Sequence, residues 1–110
     1  MTREAIWASL IPMFRNFFDR SNKPDETVTI CIPAWRSEAF IERTLGCALG
    51  QTHAKLRILI SVDQCEDATF SISETFARAD SRIEVFAQME RLGWAANVNF
   101  LLERVQSPFF

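Results

Sequence analysis

The chain has 110 residues, enough for one small domain, and it is 48% hydrophobic with ten Phe and three Trp, which excludes a disordered chain. A formal net charge of −2, with acids and bases interspersed, excludes the basic footprint of a nucleic-acid binder. Three cysteines (Cys31, Cys47 and Cys65) form no CxxC pair and are odd in number, so a disulfide framework or zinc site is not expected and a reducing, cytoplasmic setting is.

Residues 4–19 carry Ile6, Trp7, Leu10, Ile11, Phe14, Phe17 and Phe18 at spacings of three, four and seven, which predicts an amphipathic helix. Its apolar face suits packing on the domain or on a partner. A peripheral membrane surface is the weaker alternative, because Arg3, Arg15 and Arg20 are mixed with Glu4 and Asp19. No apolar run is long enough to span a bilayer. Residues 22–25 (NKPD) read as a helix stop and linker, so residues 1–24 and 25–110 form separate segments.

Three strand–helix alternations follow. Residues 28–32 (VTICI) are β-branched and continuously apolar, as in a strand buried on both faces, and Pro33 is expected to end it. Ser37 is the expected N-cap of a helix with an inner stripe of Phe40, Ile41, Leu45, Ala48 and Leu49, which Gly50 can terminate. Leu56–Val62 is the second strand. Asp67 or Thr69 would cap a second helix with Ile72, Phe76 and Ala79 facing inward. Ile83–Ala87 is the third strand. The third helix begins after Gly93, with Ala95, Val98, Leu101, Leu102 and Val105 at helical spacing, and Ser107-Pro108 breaks it. Phe109 and Phe110 read as the opening of a fourth strand. This alternation predicts an α/β fold with a parallel sheet and helices on both faces.

Parallel sheets bind ligands beyond the carboxyl ends of their strands. Those ends here are residues 33–36, 63–67 and 88–93, so groups distant in sequence are expected to converge. Asp63, one residue past a buried strand, can accept hydrogen bonds from a nucleobase or from ribose hydroxyls; it equally suits a turn that satisfies backbone N–H groups. Asp67 reads first as a helix cap. Trp35 can stack on a base or pack as a half-buried aromatic. Arg36 can pair with phosphate or remain a solvated surface group. Gly93 can supply a positive φ ahead of a helix N-terminus, itself a weak anion signal. There is no GxGxxG and no Walker loop. Of Asn97 and Asn99, two apart on a helix, one faces solvent and the other can brace the preceding loop. His53 reads as a loop residue, and Cys65 as an unreactive small one.

Four segments in order carry a resemblance. Residues 27–36 (TVTICIPAWR) resemble an opening strand commonly written V-S-V-I-I-P-A-Y-N, and residues 48–53 (ALGQTH) resemble L-x-Q-T-Y. Residues 62–69 (VDQCEDAT) align without a gap on D-D-G-S-T-D-x-T, and residues 91–99 (RLGWAANVN) on N-x-G-x-x-x-A-R-N. Together they resemble the N-terminal part of the family 2 glycosyltransferases. The resemblance implies a Rossmann-like GT-A fold and a nucleotide-sugar donor, often a UDP-sugar. It implies nucleotide contacts at Pro33, Ala34 and Trp35, a base contact at Asp63, and a crevice shaped by Asp67 and Gly93. Asn99 matches the last motif.

The chain departs from the pattern at Trp35-Arg36 for Tyr-Asn, Val62 for the first Asp, Gln64 for Gly, and Asn97-Val98 for Ala-Arg. The family's D-x-D motif, which holds Mg or Mn against the diphosphate, would follow Phe110, and the catalytic base would lie later still. The chain is therefore expected to be a truncated domain that recognises a donor without transferring sugar, with no catalytic or metal residue of its own. The sheet edge at residues 28–32 is expected to be open and prone to self-association. The rival expectation is a non-catalytic α/β interaction module.

Overall fold

A computed structural model of the chain describes residues 26–110 apart from residue 54. The amphipathic segment expected at residues 4–19, and its partner or membrane contact, lie outside the described residues. The described part is a three-stranded parallel sheet in the order β1-β2-β3: β1 Val28–Ala34, β2 Leu56–Val62 and β3 Ile83–Ala87. The intervening helices are α1 Ile41–Leu49 and α2 Thr69–Ala79, and α3 Trp94–Leu102 follows β3.

β1 and β2 are apolar on both faces, and the structure buries both faces. Val28, Ile30, Ile32 and Ala34 of β1 and Ile58, Ile60 and Val62 of β2 form one core with Ile41, Leu45 and Ala48 of α1. Ile72, Phe76 and Ala77 of α2 pack against the same core, and α3 packs on β1 and β2. On the α3 side, Leu59 and Leu101 are buried, and Phe86 meets Phe100 edge-to-face at 5.3 Å between ring centroids. The α/β architecture with helices on both faces is thus present as expected.

Pro33 does not end β1. It pairs in register with Ser61, and Ala34 continues the strand by accepting the Asp63 N–H at 2.8 Å. The ladder explains this. In β1, Val28 and Ala34 bond towards β2, whereas Thr29 donates the other way, to the carbonyl of Phe109. The N–H that Pro33 lacks would point to that same outer side, so no β1–β2 bond is lost.

Phe109 forms a parallel bridge with Val28, and the Ser107 hydroxyl lies 2.6 Å from that of Thr29. The edge of β1 is therefore covered at its Val28–Thr29 end by the segment expected to open a fourth strand. Because β2 and this segment flank β1 on opposite sides, the sheet order reverses at β1. The crevice beyond Ala34 is where a ligand would sit in a sheet of this topology.

The helix faces differ from expectation in detail. Ile41, Thr44, Leu45 and Ala48 are the buried residues of α1, while Phe40 is exposed. In α2 the buried positions are Thr69 and Ser73, and Ala79 is exposed. In α3 they are Asn97 and Leu101, with Ala95 and Leu102 outside. Periodicity finds apolar stripes and so overlooks a polar residue turned inward. Ser37 accepts the first helical bond from Ile41 through its carbonyl, yet its hydroxyl bonds to Trp35 and the cap position of α1 carries no side-chain bond. Among the described residues no helix is long and apolar enough to cross a membrane. All three cysteines are free.

Asn97 fixes α3 to the sheet. Its Nδ2 donates to the Ser61 carbonyl at 2.9 Å, and the Ser61 hydroxyl donates to Asn97 Oδ1 at 2.5 Å. Gln88 Nε2 adds a bond to the same hydroxyl at 2.9 Å. Both Ser61 and Asn97 are buried, so truncating Asn97 leaves the Ser61 hydroxyl proton without its acceptor. Asn97→Ala should cost about 2–3 kcal/mol of unfolding free energy. Exposed Asn99→Ala should cost less than about 0.5 kcal/mol. Urea denaturation of both variants checks the difference.

Candidate functional site

The carboxyl ends of the strands carry three loops: residues 35–40 after β1, 63–68 after β2 and 88–93 after β3. Asp63 joins the second to the third. It is 2% exposed, yet each of its oxygens accepts two hydrogen bonds. Oδ1 takes the N–H of Leu92 at 2.7 Å and of Gln64 at 2.9 Å. Oδ2 takes the N–H of Gly93 and Nε of Arg91, both at 2.9 Å. Burial works to raise the Asp63 carboxyl, but these donors outweigh it and hold the group below the usual carboxylate range.

Gly93 makes this grip geometrically available. Its φ of +82° lies in the left-handed region that favours glycine, and there its N–H meets Asp63 while α3 begins at the next residue. A Cβ at this position would meet no atom within 4 Å, so the backbone angle alone is what requires glycine.

Asp67 ties the second loop to the first and starts α2. Its Oδ1 accepts the N–H of Thr69 at 3.0 Å, and its Oδ2 the N–H of Glu38 at 3.4 Å. Glu38 reciprocates, since its Oε2 accepts the N–H of Ala68 at 3.0 Å. Buried Thr69 adds a third tie by accepting the Ser37 N–H at 2.7 Å. Burial acts to raise Asp67, but bonds from Thr69, Cys65 and Glu38 bring it below the ordinary range. The cap expected of Asp67 is thus accompanied by a cross-loop brace. Cys65 lies beside it, its thiol held above the ordinary range by burial first and by Asp67 second.

Trp35 is half-buried where the first loop leaves β1. Two guanidinium groups flank its ring, with Arg91 Cζ 3.7 Å and Arg36 Cζ 4.7 Å from the ring centroid. Arg36 has a φ of +49°, uncommon for a side-chain-bearing residue, and this bend turns the chain so that the Ser37 N–H faces Thr69. Pro33 and Ala34 are buried in the strand below.

Trp35, Asp63 and Gly93 are therefore linked through one residue, Arg91, which touches the Trp35 ring and the Asp63 carboxylate together. Asp67 stands with Glu38 in the adjoining loops, where Arg36, Glu38, Ala39, Glu66 and Asp67 line an open hollow of about 490 Å³. Arg91 and Glu38 were not among the expected site residues. The available signal for Arg91 was indirect: a buried carboxylate needs donors, and Arg91 is the basic residue of the loop facing it. Of the two asparagines, Asn97 is the brace, and it holds β2 rather than the loop before α3. His53 is buried, with Nε2 at 2.5 Å from the carbonyl of Glu26, away from these loops in the chain. Among the described residues no group of three or more His, Cys, Asp or Glu is placed to hold a metal ion.

The family model for glycosyl transferase family 2 matches residues 29–110. Similar curated proteins include an uncharacterized glycosyltransferase of Haemophilus influenzae, 27% identical over 81% of this chain and 27% of its own length. The putative teichuronic acid biosynthesis glycosyltransferase TuaG of Bacillus subtilis is 30% identical over 74% of this chain and 32% of its own length. The chain thus spans about a third or less of these relatives. Among solved structures, the mannosyltransferase PcManGT of Pyrobaculum calidifontis, in complex with GDP-Man and Mn2+, superposes with a TM-score of 0.68. It is 21% identical, and the match covers 94% of this chain and 36% of that one, so it shows the shared fold.

The bonds to Asp63 set a pH dependence. The native carboxyl titrates below its ordinary value of 3.8, so its stabilisation is complete above that pH and is lost as pH falls through the lower native value. Asp63→Asn should destabilise by about 2–3 kcal/mol at pH 7, because a neutral amide faces four donors. The gap from wild type should narrow as pH falls below 3.8 and through the lower native value. Urea midpoints measured at pH 7 and in the acid range check both the size and the sign.

Proposed function

Because the chain belongs to glycosyl transferase family 2, we propose that residues 26–110 recognise the nucleotide of a nucleotide-sugar donor at the carboxyl ends of β1, β2 and β3. The observation that carries this reading is an aromatic face, Trp35, bridged by Arg91 to a buried, ionised carboxylate, Asp63, at the point where the sheet order reverses. A nucleobase needs both: a ring face to stack on and an acceptor for its N–H groups.

In this reading Trp35 supplies the stack and Asp63 the acceptor. Pro33 and Ala34 form the floor from which Trp35 projects. Gly93 holds the third loop against Asp63, and Asp67 holds the first two loops together. Arg36, exposed beside Trp35, is placed to meet negative charge on the donor. A UDP-sugar is the donor that the sequence resemblance suggests, and the GDP-Man of the mannosyltransferase relative makes GDP the alternative to test.

Glycosyl transfer to an acceptor is the activity proposed for the longer family domain. The described residues supply no cluster of ligands suited to the Mn2+ of the mannosyltransferase relative. The role proposed for this chain is donor recognition.

Calorimetry with UDP and GDP on the 110-residue chain tests the reading. Binding of either is expected, and Trp35→Ala should weaken it by roughly 1–3 kcal/mol, the worth of one base–aromatic stack. Binding that survives Trp35→Ala undiminished would remove Trp35 from the site, and absence of binding to both nucleotides would reject the reading.

A further inference from the structure

Arg91 makes the two contacts that a nucleobase would make in this site. Its guanidinium is planar and lies over Trp35 at 3.7 Å, and its Nε–H donates to Asp63 Oδ2 at 2.9 Å. A stacked, N–H-bearing plane is also what the proposed reading assigns to the base. Both oxygens of Asp63 already accept two bonds, and a carboxylate offers about four acceptor sites in all. A base that bonds to Asp63 must therefore displace a donor. Three of the four donors are backbone N–H groups: those of Leu92 and Gly93, set by the Gly93 turn and the start of α3, and that of Gln64, which follows Asp63 directly. The fourth is a side chain that is 44% exposed and free to move into solvent.

We infer that Arg91 is a built-in occupant of the base subsite, which a nucleotide displaces in order to bind Trp35 and Asp63. This rests on the donor-recognition reading above. The site of the free protein is closed by its own residue, and only the fraction of molecules with Arg91 swung out is competent for a base. Apparent affinity falls in proportion to that fraction. The arrangement also discriminates among ligands. A neutral nucleoside must evict Arg91 and offers the displaced cation nothing. A nucleoside diphosphate offers it negative charge, to which a guanidinium pairs well. Arg91 thereby makes the site selective for phosphorylated ligands.

Neutral nucleosides separate eviction from charge attraction, so uridine and guanosine are the probes, titrated beside UDP and GDP into wild type and Arg91→Ala. The variant keeps the three backbone donors on Asp63 and so retains the loop. Arg91→Lys, which keeps the charge but loses the planar stack, carries the same test should the alanine variant not fold. Nucleoside binding should tighten by roughly five- to tenfold in the variant, and the ratio of diphosphate to nucleoside affinity should fall. Unchanged or weaker nucleoside binding in the variant, with UDP or GDP still bound by wild type, overturns the role of Arg91 and leaves donor recognition standing. No binding of any probe to either protein overturns both.

Discussion

The Asp63 carboxylate is the group on which the ordering of the site depends. It is buried at the end of β2, where an ionised group without donors would be strongly disfavoured. The donors come chiefly from the loop after β3, so ionisation of Asp63 and ordering of residues 91–93 favour one another. Gly93 follows from this, because only its positive φ presents the N–H to Asp63 and still admits α3 at Trp94. Asn97, one turn into that helix, then locks it to Ser61, two residues before Asp63 in β2. The route from β2 through the loop to α3 and back closes on itself with two buried polar knots.

The first two loops are held by a separate set of bonds, the Glu38–Asp67 exchange and the contact of Ser37 with Thr69. The Glu38–Asp67 bonds involve more exposed groups and should be individually weaker, whereas the Ser37–Thr69 bond is buried. Arg91, in contact with both the Asp63 carboxylate and the Trp35 ring, joins the third loop to the first. The firm part of the site is thus the acceptor at Asp63, and the adjustable part is the aromatic side with its two guanidiniums. A site that must admit and release a ligand is well served by that division, since rigid acceptors set orientation while exposed side chains can move at low cost.

Much of this was legible in the chain itself. Among the described residues, the alternation of apolar runs with helical stripes located the three strands and three helices, because parallel strands buried on both faces leave an apolar signature, as at Leu56–Val62. The strand ends followed from topology, and with them the convergence of Trp35, Asp63 and Gly93. What escaped was polar and long-range. Pro33 was expected to end β1, since a sequence does not say which side of a ladder a residue bonds to. Asn97 looked interchangeable with Asn99 until the helix face was known. Arg91 lies 28 positions from the carboxylate it meets, beyond any local pattern.

Three of the substitutions that separate this chain from the family pattern share a physical logic. Trp35 and Arg36 replace Tyr and Asn in the first loop, and Arg91 replaces Asn in the third. All three enlarge the aromatic and cationic content of one small volume, and the structure brings them into contact. An indole presents a wider π face than a phenol, and two guanidiniums can use it at once. Val62, in place of the first acid of the pair, is buried in the core, and Asp63 is the anion that Arg91 engages. Residues scattered along the chain therefore meet in one place: two guanidiniums on the Trp35 face, one of them paired with the buried Asp63 carboxylate.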